Sequence, residues 1–466
     1  MTFISTRGRA PAIGFRAAVL SGLAADGGLY MPDAWPRLPA GGPAAFADLP
    51  FEEAAARVLS LYAGDEIARA ELTAMAARAY APFDHPAVAP LRPLSDDLDL
   101  LELFHGPTLA FKDVAMRMLA GLYGWALEGA VRGKTIIGAT SGDTGGAAVA
   151  AFAGAENVEL FMLHPKGRIS DVQRRIMTTA RAGNICNIAV EGTFDDCQRI
   201  VKTLFADERL SRVCDLGGVN SINWVRLAVQ STYFLTAAAR RPGAHFVVPT
   251  GNFGDIFAGF AAKRFGAPTG MLVAATNRND IVRRAVETGV YAPGGVSATS
   301  SPSMDIEVAS NFERLLFEAS GRDAGAVGAL MTAFARDGRF HIPAPWRAAI
   351  ASEFMAGRAD EAAVAATMRR VHSESGLLID PHTAVGVRVA NDLRGEGRLS
   401  GKIVCLATAH PAKFPDAVEA ATGVRPDLPP RFSTLMADAE RYETATADAA
   451  AIRTLIESRS LFAGKS

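Results

Sequence analysis

Lys112 is the residue whose type and setting point most directly to chemistry. It ends the run His105-Gly-Pro-Thr-Leu-Ala-Phe-Lys112 and precedes Asp113. Thr108 can cap a helix that starts just after it, which places Lys112 in the first turn and a half. The positive helix end and partial burial disfavour an ammonium ion, so we expect a neutral amine suited to Schiff-base chemistry. The alternative is a lysine on the outer face of a helix.

Two glycine-rich segments, each between a strand and a helix, are candidate anion sites. The first is Thr140-Ser141-Gly142-Asp143-Thr144-Gly145-Gly146, and the second is Pro249-Thr250-Gly251-Asn252-Phe253-Gly254-Asp255. Backbone N–H groups at a helix start, helped by hydroxyls, bind carboxylates or phosphates. The second segment is typical of a cup for a single phosphate. The alternative for both is an ordinary capped turn.

Two further segments carry polar side chains at similar junctions. Val219 to Arg226 offers two amides, a hydroxyl and a guanidinium that suit a phosphate dianion. Thr408 follows an apolar run, where its hydroxyl can face a ring nitrogen. Each has a plainer reading, namely helix capping with an outward arginine for the first segment and helix capping by Thr408 for the second. We expect His410 and Lys413 to be local and solvated.

Short apolar runs alternate with helical stretches and position these candidates. This alternation is typical of βαβ units around mainly parallel sheets, which bind ligands beyond the carboxyl ends of their strands. The predicted strands are 98–104, 134–139, 158–163, 185–190, 245–248, 271–275 and 402–407. The predicted fold class is α/β, with mainly parallel sheets.

The predicted domains are residues 1–93, 94–215 and 216–466. The first has an alanine-rich helical pattern over 51–80 and ends in a proline-rich linker over 81–93. The third includes a mostly helical insertion at about 290–375. The tail after Arg425 gives no chemical signal.

The composition favours a small-molecule partner. The chain has 466 residues, with 48 basic against 49 acidic side chains, so it shows no basic excess for nucleic acid or an anionic membrane. The four cysteines show no metal-binding spacing, and we expect reduced thiols. We expect no signal peptide, membrane span or metal, and a cytoplasmic location.

The motifs together resemble those of the threonine synthase family, whose members are fold-type II pyridoxal-phosphate (PLP) enzymes. ISTRG, LAADGGLYMP, HGPTLAFKD, SGDTGGAA, GNFGDIFAG, DPHTAVG and TAHPAKF occur in the family's order. The resemblance implies the family's fold, which has two parallel-sheet three-layer α/β domains with PLP in the cleft between them, an N-terminal domain and a mostly helical insertion. It also implies the reaction, which releases phosphate from O-phospho-L-homoserine and adds water to give L-threonine.

The resemblance also implies roles for individual residues. Lys112 carries PLP, Thr408 faces the pyridine nitrogen, and Asp143 stands near the 3′-oxygen, where many fold-type II enzymes have Asn. An ionised Asp143 would repel a 3′-oxyanion. The cofactor phosphate is held by Gly251, Asn252, Phe253, Gly254 and Asp255, the substrate carboxylate by Ser141, Gly142 and Thr144, and the substrate phosphate by Asn220, Ser221 and Arg226. Residues 380–383 (DPHT) have no assigned role.

Other functions stay open at this point. They are a threonine-synthase-like phospho-lyase, another fold-type II dehydratase or β-replacement enzyme, and a non-catalytic protein that binds PLP or a phosphometabolite. The expected assembly is a monomer or homodimer.

Overall fold

Two mainly parallel β-sheets form the framework of the protein in the computed structural model, which describes residues 1–219 and 221–462. Within these residues one sheet has six strands and the other has five. The six-stranded sheet is parallel except for its outermost pair, Leu91–Ser95 with Leu98–Glu102, and the five-stranded sheet is parallel throughout. In spatial order the larger sheet comprises Phe354–Arg358, Leu272–Thr276, His245–Pro249, Ile403–Ala407, Leu98–Glu102 and Leu91–Ser95, and the smaller comprises Glu443–Thr446, Ile185–Glu191, Val158–Pro165, Lys134–Ala139 and Asp215–Gly217.

The central strands are continuous apolar runs because they are covered on both faces. Every residue of Val158–Pro165 and of Ile403–Ala407 is buried. Each predicted strand is present, and Lys134–Ala139 has the predicted bounds. The predicted α/β class with two parallel sheets is therefore confirmed.

Two strands belong to a different sheet from the one that the predicted domain bounds imply. Leu98–Glu102 pairs with Ile403–Ala407 in the six-stranded sheet, although residues 94–215 are predicted as a separate domain. Glu443–Thr446 returns to pair with Ile185–Glu191 in the five-stranded sheet. The predicted bounds are wrong for these strands, because parallel pairing between distant segments leaves no local signal in the sequence. The rest of the three-domain division stays a prediction.

Residues 290–375 are mostly helical, as predicted, but they are not wholly an insertion. Phe354–Arg358 is an edge strand of the larger sheet, beside Leu272–Thr276. The short strands Val290–Tyr291 and Phe340–His341 pair antiparallel within the same region. The predicted linker likewise ends in a strand, Leu91–Ser95, and Pro93 is tolerated there because the strand lies at a sheet edge.

The first residues of the chain pack into the hydrophobic core around Trp224. Phe3–Ser5 pairs antiparallel with Tyr30–Pro32. Phe3 and Tyr62 contact the buried ring of Trp224, with ring centroids 6.5 and 5.7 Å from it. The helices of the described residues are Phe15–Leu20, Phe51–Ala63, Arg69–Tyr80, Lys112–Ala126, Asp143–Phe152, Asp171–Thr178, Phe194–Phe205, Glu208–Val213, Trp224–Arg240, Gly254–Arg264, Ile281–Thr288, Phe312–Ala319, Ala324–Asp337, Ala344–Ala351, Glu361–Ser375, Pro381–Gly395, Pro415–Thr422 and Ala449–Arg459.

The described residues include no helix long and apolar enough to cross a bilayer. Over the same residues, no group of His, Cys, Asp and Glu side chains is arranged to hold a metal ion. All four cysteines are free thiols, as predicted, and only Cys186 is not fully buried.

Candidate active site

The lysine segment is held against the Thr408 segment by backbone hydrogen bonds. Phe111 N donates to Thr408 O at 2.9 Å, and His410 N donates to Leu109 O at 3.0 Å. Leu109 has a positive φ of 61°, so the chain turns there before the helix begins at Lys112. Lys112 is thus the first residue of its helix, beyond the carboxyl end of the strand Ile403–Ala407.

The predicted helix cap by Thr108 is wrong. The helix begins at Lys112, with no side-chain cap, and not directly after Thr108. Thr108 instead donates to the carboxylate of Asp113 from its N at 2.7 Å and from its Oγ1 at 2.6 Å. This contact braces the loop from inside, because both residues are fully buried.

Lys112 is buried beside a carboxylate. Its Nζ lies 3.4 Å from Asp143 Oδ2. Burial lowers the pKa of Lys112, and the charges of Lys413 and Arg226 lower it further against the opposing charge of Asp143. The predicted direction, towards a neutral amine, agrees with this lowered pKa; burial was an expected cause, whereas the charged neighbours were not.

Asp143 accepts hydrogen bonds on both carboxylate oxygens. Oδ1 receives Lys413 Nζ at 2.6 Å and Gln173 Nε2 at 2.9 Å. Oδ2 receives Ser303 Oγ at 3.0 Å in addition to Lys112. Burial alone would raise the pKa of Asp143, but the charges of Lys413 and Lys112 hold it well below its usual range. Asp143 is therefore ionised and fully hydrogen-bonded.

Lys413 is a correction to the sequence-based expectation. It is only 1% exposed, whereas a solvated side chain was expected. Its Nζ also donates to Thr108 O at 2.8 Å, so it joins the segment after Thr408 to the lysine loop. His410, also expected to be solvated, is half-buried, and burial lowers its pKa to about 4. The short turn Pro411–Lys413 is buried, and His410 caps it by accepting from Ala412 N at 3.2 Å.

A chain of buried polar side chains continues from Asp143 to the DPHT segment. Ser303 N donates to His382 Nε2 at 3.3 Å, and His382 Nδ1 donates to Asp380 Oδ2 at 2.7 Å. Asp380 caps its helix by accepting from Thr383 N at 3.1 Å. Residues 380–383, which had no assigned role, thus fix the orientation of Ser303.

The Gly251–Asp255 turn forms a compact cradle beside Ser303. A Cβ on Gly251 would lie 2.8 Å from Ser303 O, so only glycine fits there. Phe253 takes a left-handed conformation, with φ of 65°, and the helix Gly254–Arg264 begins directly after it. The first N–H groups of that helix have no partner within it and suit an anion.

Asp255 does not offer its side chain to an anion. Tyr233 OH donates to Asp255 Oδ1, and Oδ2 is buried without a partner among the described residues. Burial raises the pKa of Asp255 to about 7, with Lys112 and Arg226 opposing this effect. The predicted phosphate role can therefore belong to the backbone of Asp255 but not to its carboxylate.

The Ser221–Arg226 segment lies directly against the cradle. Asn311 Nδ2 donates to Ser221 O at 3.1 Å and to Asn252 O at 3.2 Å, which joins the two loops. Arg226 is buried, donates from Nη1 to Val219 O at 3.1 Å, and has an Nε without a partner among the described residues. Burial lowers the pKa of Arg226 to about 10. Asn220 lies outside the described residues.

The serine–glycine segment also has its expected place. Thr140 Oγ1 accepts from Gly142 N at 2.9 Å and Gly145 N at 2.8 Å, which shapes the turn ahead of the helix Asp143–Phe152. Ser141 and Thr144 are half-buried, and no described residue hydrogen-bonds their hydroxyls. The hydroxyl of Thr408 likewise has no partner among the described residues, and its side chain is buried.

The structure thus brings several of the predicted site segments into contact with one another. Lys112 contacts Asp143, Asp143 contacts Ser303, and Ser303 borders Gly251. The sequence-based search missed Ser303, Gln173, Asn311 and the buried state of Lys413. Lys413 lies inside the motif TAHPAKF, so its position alone was a usable signal, whereas Ser303 and Asn311 lie in turns without a chemical pattern.

Comparisons with known proteins match three parts of the chain to family models and the whole chain to threonine synthases. Family models described as threonine synthase N terminus, pyridoxal-phosphate dependent enzyme, and threonine synthase C-terminal match residues 2–80, 89–336 and 383–456. The threonine synthase of Pseudomonas aeruginosa is 45% identical over 446 residues, which is 95% of each chain. The solved structure of PLP-bound threonine synthase from Brucella melitensis has a TM-score of 0.95 and 48% identity, covering 99% of this chain and 100% of that one. Threonine synthase from yeast has a TM-score of 0.92 and 35% identity, covering 98% of each chain.

Proposed function

The chain belongs to the threonine synthase family, and from this premise we propose that it converts O-phospho-L-homoserine and water into L-threonine and phosphate in the cleft around Lys112. It is a PLP-dependent lyase, as its relatives are. The observation that carries the assignment to this cleft is the buried Lys112 amine, linked through Asp143 and Ser303 to the Gly251 cradle.

The residues of the cleft fit PLP. Lys112 offers a buried amine for the aldehyde carbon, and the turn from Gly251 to Asp255 offers a helix start for the phosphate. Asn252, Phe253 and Gly254 complete this turn, and their backbone would hold the phosphate. Thr408 directly follows the strand Ile403–Ala407 and would face the ring nitrogen, while Asp143 would face the 3′-oxygen.

PLP, when bound, supplies an electron sink that stabilises negative charge on the carbon next to the substrate amine. The Lys112 amine takes the proton from Cα, because its lowered pKa leaves it able to accept one. A second proton would leave Cβ as phosphate leaves Cγ, a proton would return to Cγ, water would add its hydroxyl at Cβ, and a proton would return to Cα to give L-threonine. One amine on a flexible stem, that of Lys112, could serve several of these transfers if they occur on one face of the substrate.

The substrate's two anionic groups have separate sites in this proposal. Ser141, Gly142 and Thr144 bind the carboxylate with hydroxyl and backbone donors. Asn220, Ser221 and Arg226 bind the phosphate, and the unpartnered Nε of Arg226 supports this role. A guanidinium matches a phosphate dianion with two parallel hydrogen bonds.

Thr408 would make the cofactor ring a weaker electron sink than a carboxylate at the same position would. A hydroxyl, unlike a carboxylate, does not hold a proton firmly on a ring nitrogen. More of the negative charge would therefore remain on the substrate carbons, where the steps at Cβ and Cγ need it. The buried position of Thr408 and its backbone bond to Phe111 support this placement.

Product analysis with O-phospho-L-homoserine tests the function. We expect phosphate and L-threonine in equal amounts, whereas a phospho-lyase would give phosphate with an oxo acid and ammonia. A dehydratase would act on serine or threonine without releasing phosphate. Lys112→Ala should abolish turnover and prevent borohydride from attaching the cofactor to the protein, and the exposed Lys166→Met is the matched control. An active Lys112→Ala variant would contradict the assignment.

We also propose a cytoplasmic location and a monomer or homodimer. Four free thiols support a reducing compartment. Sedimentation of the purified protein would decide between the two assemblies.

A further inference from the structure

We propose that Lys413 is a positioning residue, which occupies Oδ1 of Asp143 and so leaves the Lys112 amine outside a tight ion pair. The proposal rests on the assignment of Lys112 as the PLP-carrying residue. It explains why this cleft has two buried lysines and one carboxylate between them.

Lys413 is fixed on every side. Its Nζ is 2.6 Å from Asp143 Oδ1 and donates to Thr108 O at 2.8 Å. Its backbone is held as well, because Ser170 Oγ donates to Lys413 O at 3.2 Å. A lysine with two short contacts and 1% exposure cannot move into the cleft without leaving Asp143 and Thr108 unpaired.

The contacts of Asp143 are unequal in a way that matters for Lys112. The contact to Lys413 is 2.6 Å, whereas the contact to Lys112 is 3.4 Å and is the longest of the four that Asp143 receives. Charge-assisted hydrogen bonds are strong near 2.8 Å and weak at 3.4 Å. The negative charge of Asp143 is therefore balanced mainly by Lys413.

This balance also answers the objection that an ionised Asp143 would repel an anionic 3′-oxygen. Lys413 and Asp143 together carry no net charge. The pair can therefore offer the cofactor a fixed dipole in place of a free carboxylate, much as a neutral side chain would.

Two effects follow if Lys413 loses its charge. Asp143 then has only Lys112 as a cationic partner, and Lys112 loses a repelling neighbour. Both favour the ammonium form of Lys112. The other titratable or charged groups that face this cluster are Arg226 and Asp255 towards Lys112, His382 towards Asp143, and Asp113 and His410 towards Lys413. They are unchanged by the substitution, so the shift reports on Lys413.

The test measures how fast the apoprotein captures PLP on Lys112 as a function of pH. Borohydride traps the product, and mass spectrometry of the Lys112 peptide quantifies it. Only the neutral amine attacks PLP, so the rate falls as pH drops below an apparent midpoint. The variants are Lys413→Met, Asp143→Asn and the double variant, with the exposed Lys166→Met as control.

We expect Lys413→Met to raise the midpoint by about one pH unit or more, which slows capture roughly tenfold at lower pH. Asp143→Asn leaves Lys413 without its counter-ion and should lower the midpoint. The double variant removes both charges and should return close to the wild-type midpoint, as a coupled pair requires. Lys166→Met should not move it.

Unchanged midpoints in both single variants, or a double variant that equals Lys413→Met, would overturn the proposal. If Lys413→Met does not fold, Asp143→Asn and the double variant decide it, since equal midpoints for those two also contradict it. Absence of label on Lys112 in the wild-type protein at every pH would instead overturn the assigned role of Lys112.

Discussion

Arg226→Met should separate the stability of the protein from its affinity for phosphate. Arg226 is buried and donates one hydrogen bond, to Val219 O. Among the described residues, no carboxylate is in direct contact with its guanidinium. Methionine has a similar length and no charge. The substitution therefore removes the proposed phosphate ligand while filling most of its volume.

The effect on stability can be worked from the burial of the guanidinium. Lowering the pKa of Arg226 to about 10 corresponds to a penalty on the order of 3 kcal/mol for the charged form. Arg226 is protonated at pH 7 in both the folded and the unfolded chain, so the penalty is fully present there and is relieved only as pH rises past about 10. Methionine escapes this penalty but leaves Val219 O without a donor, at a cost of about 1–3 kcal/mol. We expect the free energy of unfolding without phosphate to stay level or to rise by up to about 2 kcal/mol.

The effect on phosphate binding has the opposite sign. A charge-assisted hydrogen bond contributes about 1.5–3 kcal/mol, so the dissociation constant should rise about 10- to 100-fold. With PLP bound, so that the Gly251–Asp255 turn is filled, inorganic phosphate should raise the melting temperature of the wild-type protein and hardly affect that of the variant. Thermal unfolding with and without phosphate, together with calorimetric titration of phosphate, measures both quantities.

Arg117→Met is the matched control. Arg117 is half-buried, and it donates to Ala79 O at 3.2 Å and Ala150 O at 3.0 Å, outside the proposed phosphate site. That variant should keep the phosphate response. The reasoning is refuted if Arg226→Met binds phosphate as tightly as the wild-type protein does, or if it loses several kcal/mol of stability without phosphate.

Three further substitutions have defined outcomes. Gly251→Ala places a Cβ 2.8 Å from Ser303 O, so PLP affinity measured by fluorescence should fall at least about tenfold, whereas Gly124→Ala, with open space around it, should bind PLP normally. Thr408→Asp should alter the absorption spectrum of the bound cofactor and the ratio of threonine to side products, and an unchanged spectrum and product ratio would show that Thr408 does not face the ring. Asp255→Asn should stabilise the protein by a few kcal/mol at pH 8, because the raised pKa of about 7 destabilises the ionised form above its unfolded pKa. At pH 4 denaturant unfolding should show almost no difference, and equal gains at both pH values would contradict this account.

The strands and the candidate loops could be predicted because their signals are local. Apolar runs such as Lys134–Ala139 are bounded by turns, and glycines mark the loop at Gly251. The buried state of Lys413 could not be predicted, since a lysine is ordinarily solvated and its partner, Asp143, is 270 residues away along the chain by numbering. The same holds for Ser303, whose contacts to Asp143 and His382 exist only after three distant segments meet.

The cap of the helix that begins at Lys112 could not be predicted from the sequence. Thr108 has the residue type of a cap, but its hydroxyl is used by Asp113. The backbone of residues 109–111 is taken up by the segment of Thr408. Competition from a tertiary partner therefore displaced the local preference, which no window of sequence around Lys112 records.

The return of the last strand to the smaller sheet has a consequence during synthesis. One edge of the strand Ile185–Glu191 pairs with Glu443–Thr446. This second strand leaves the ribosome more than 200 residues after the first. Until then the backbone donors and acceptors along that edge of the first strand are available to other chains. We expect nascent chains released before residue 443 to aggregate through this edge, and light scattering of a protein ending at 442, compared with the full chain, would measure it. The C-terminal strand thus covers the exposed edge of the smaller sheet and should protect the newly made protein from aggregation.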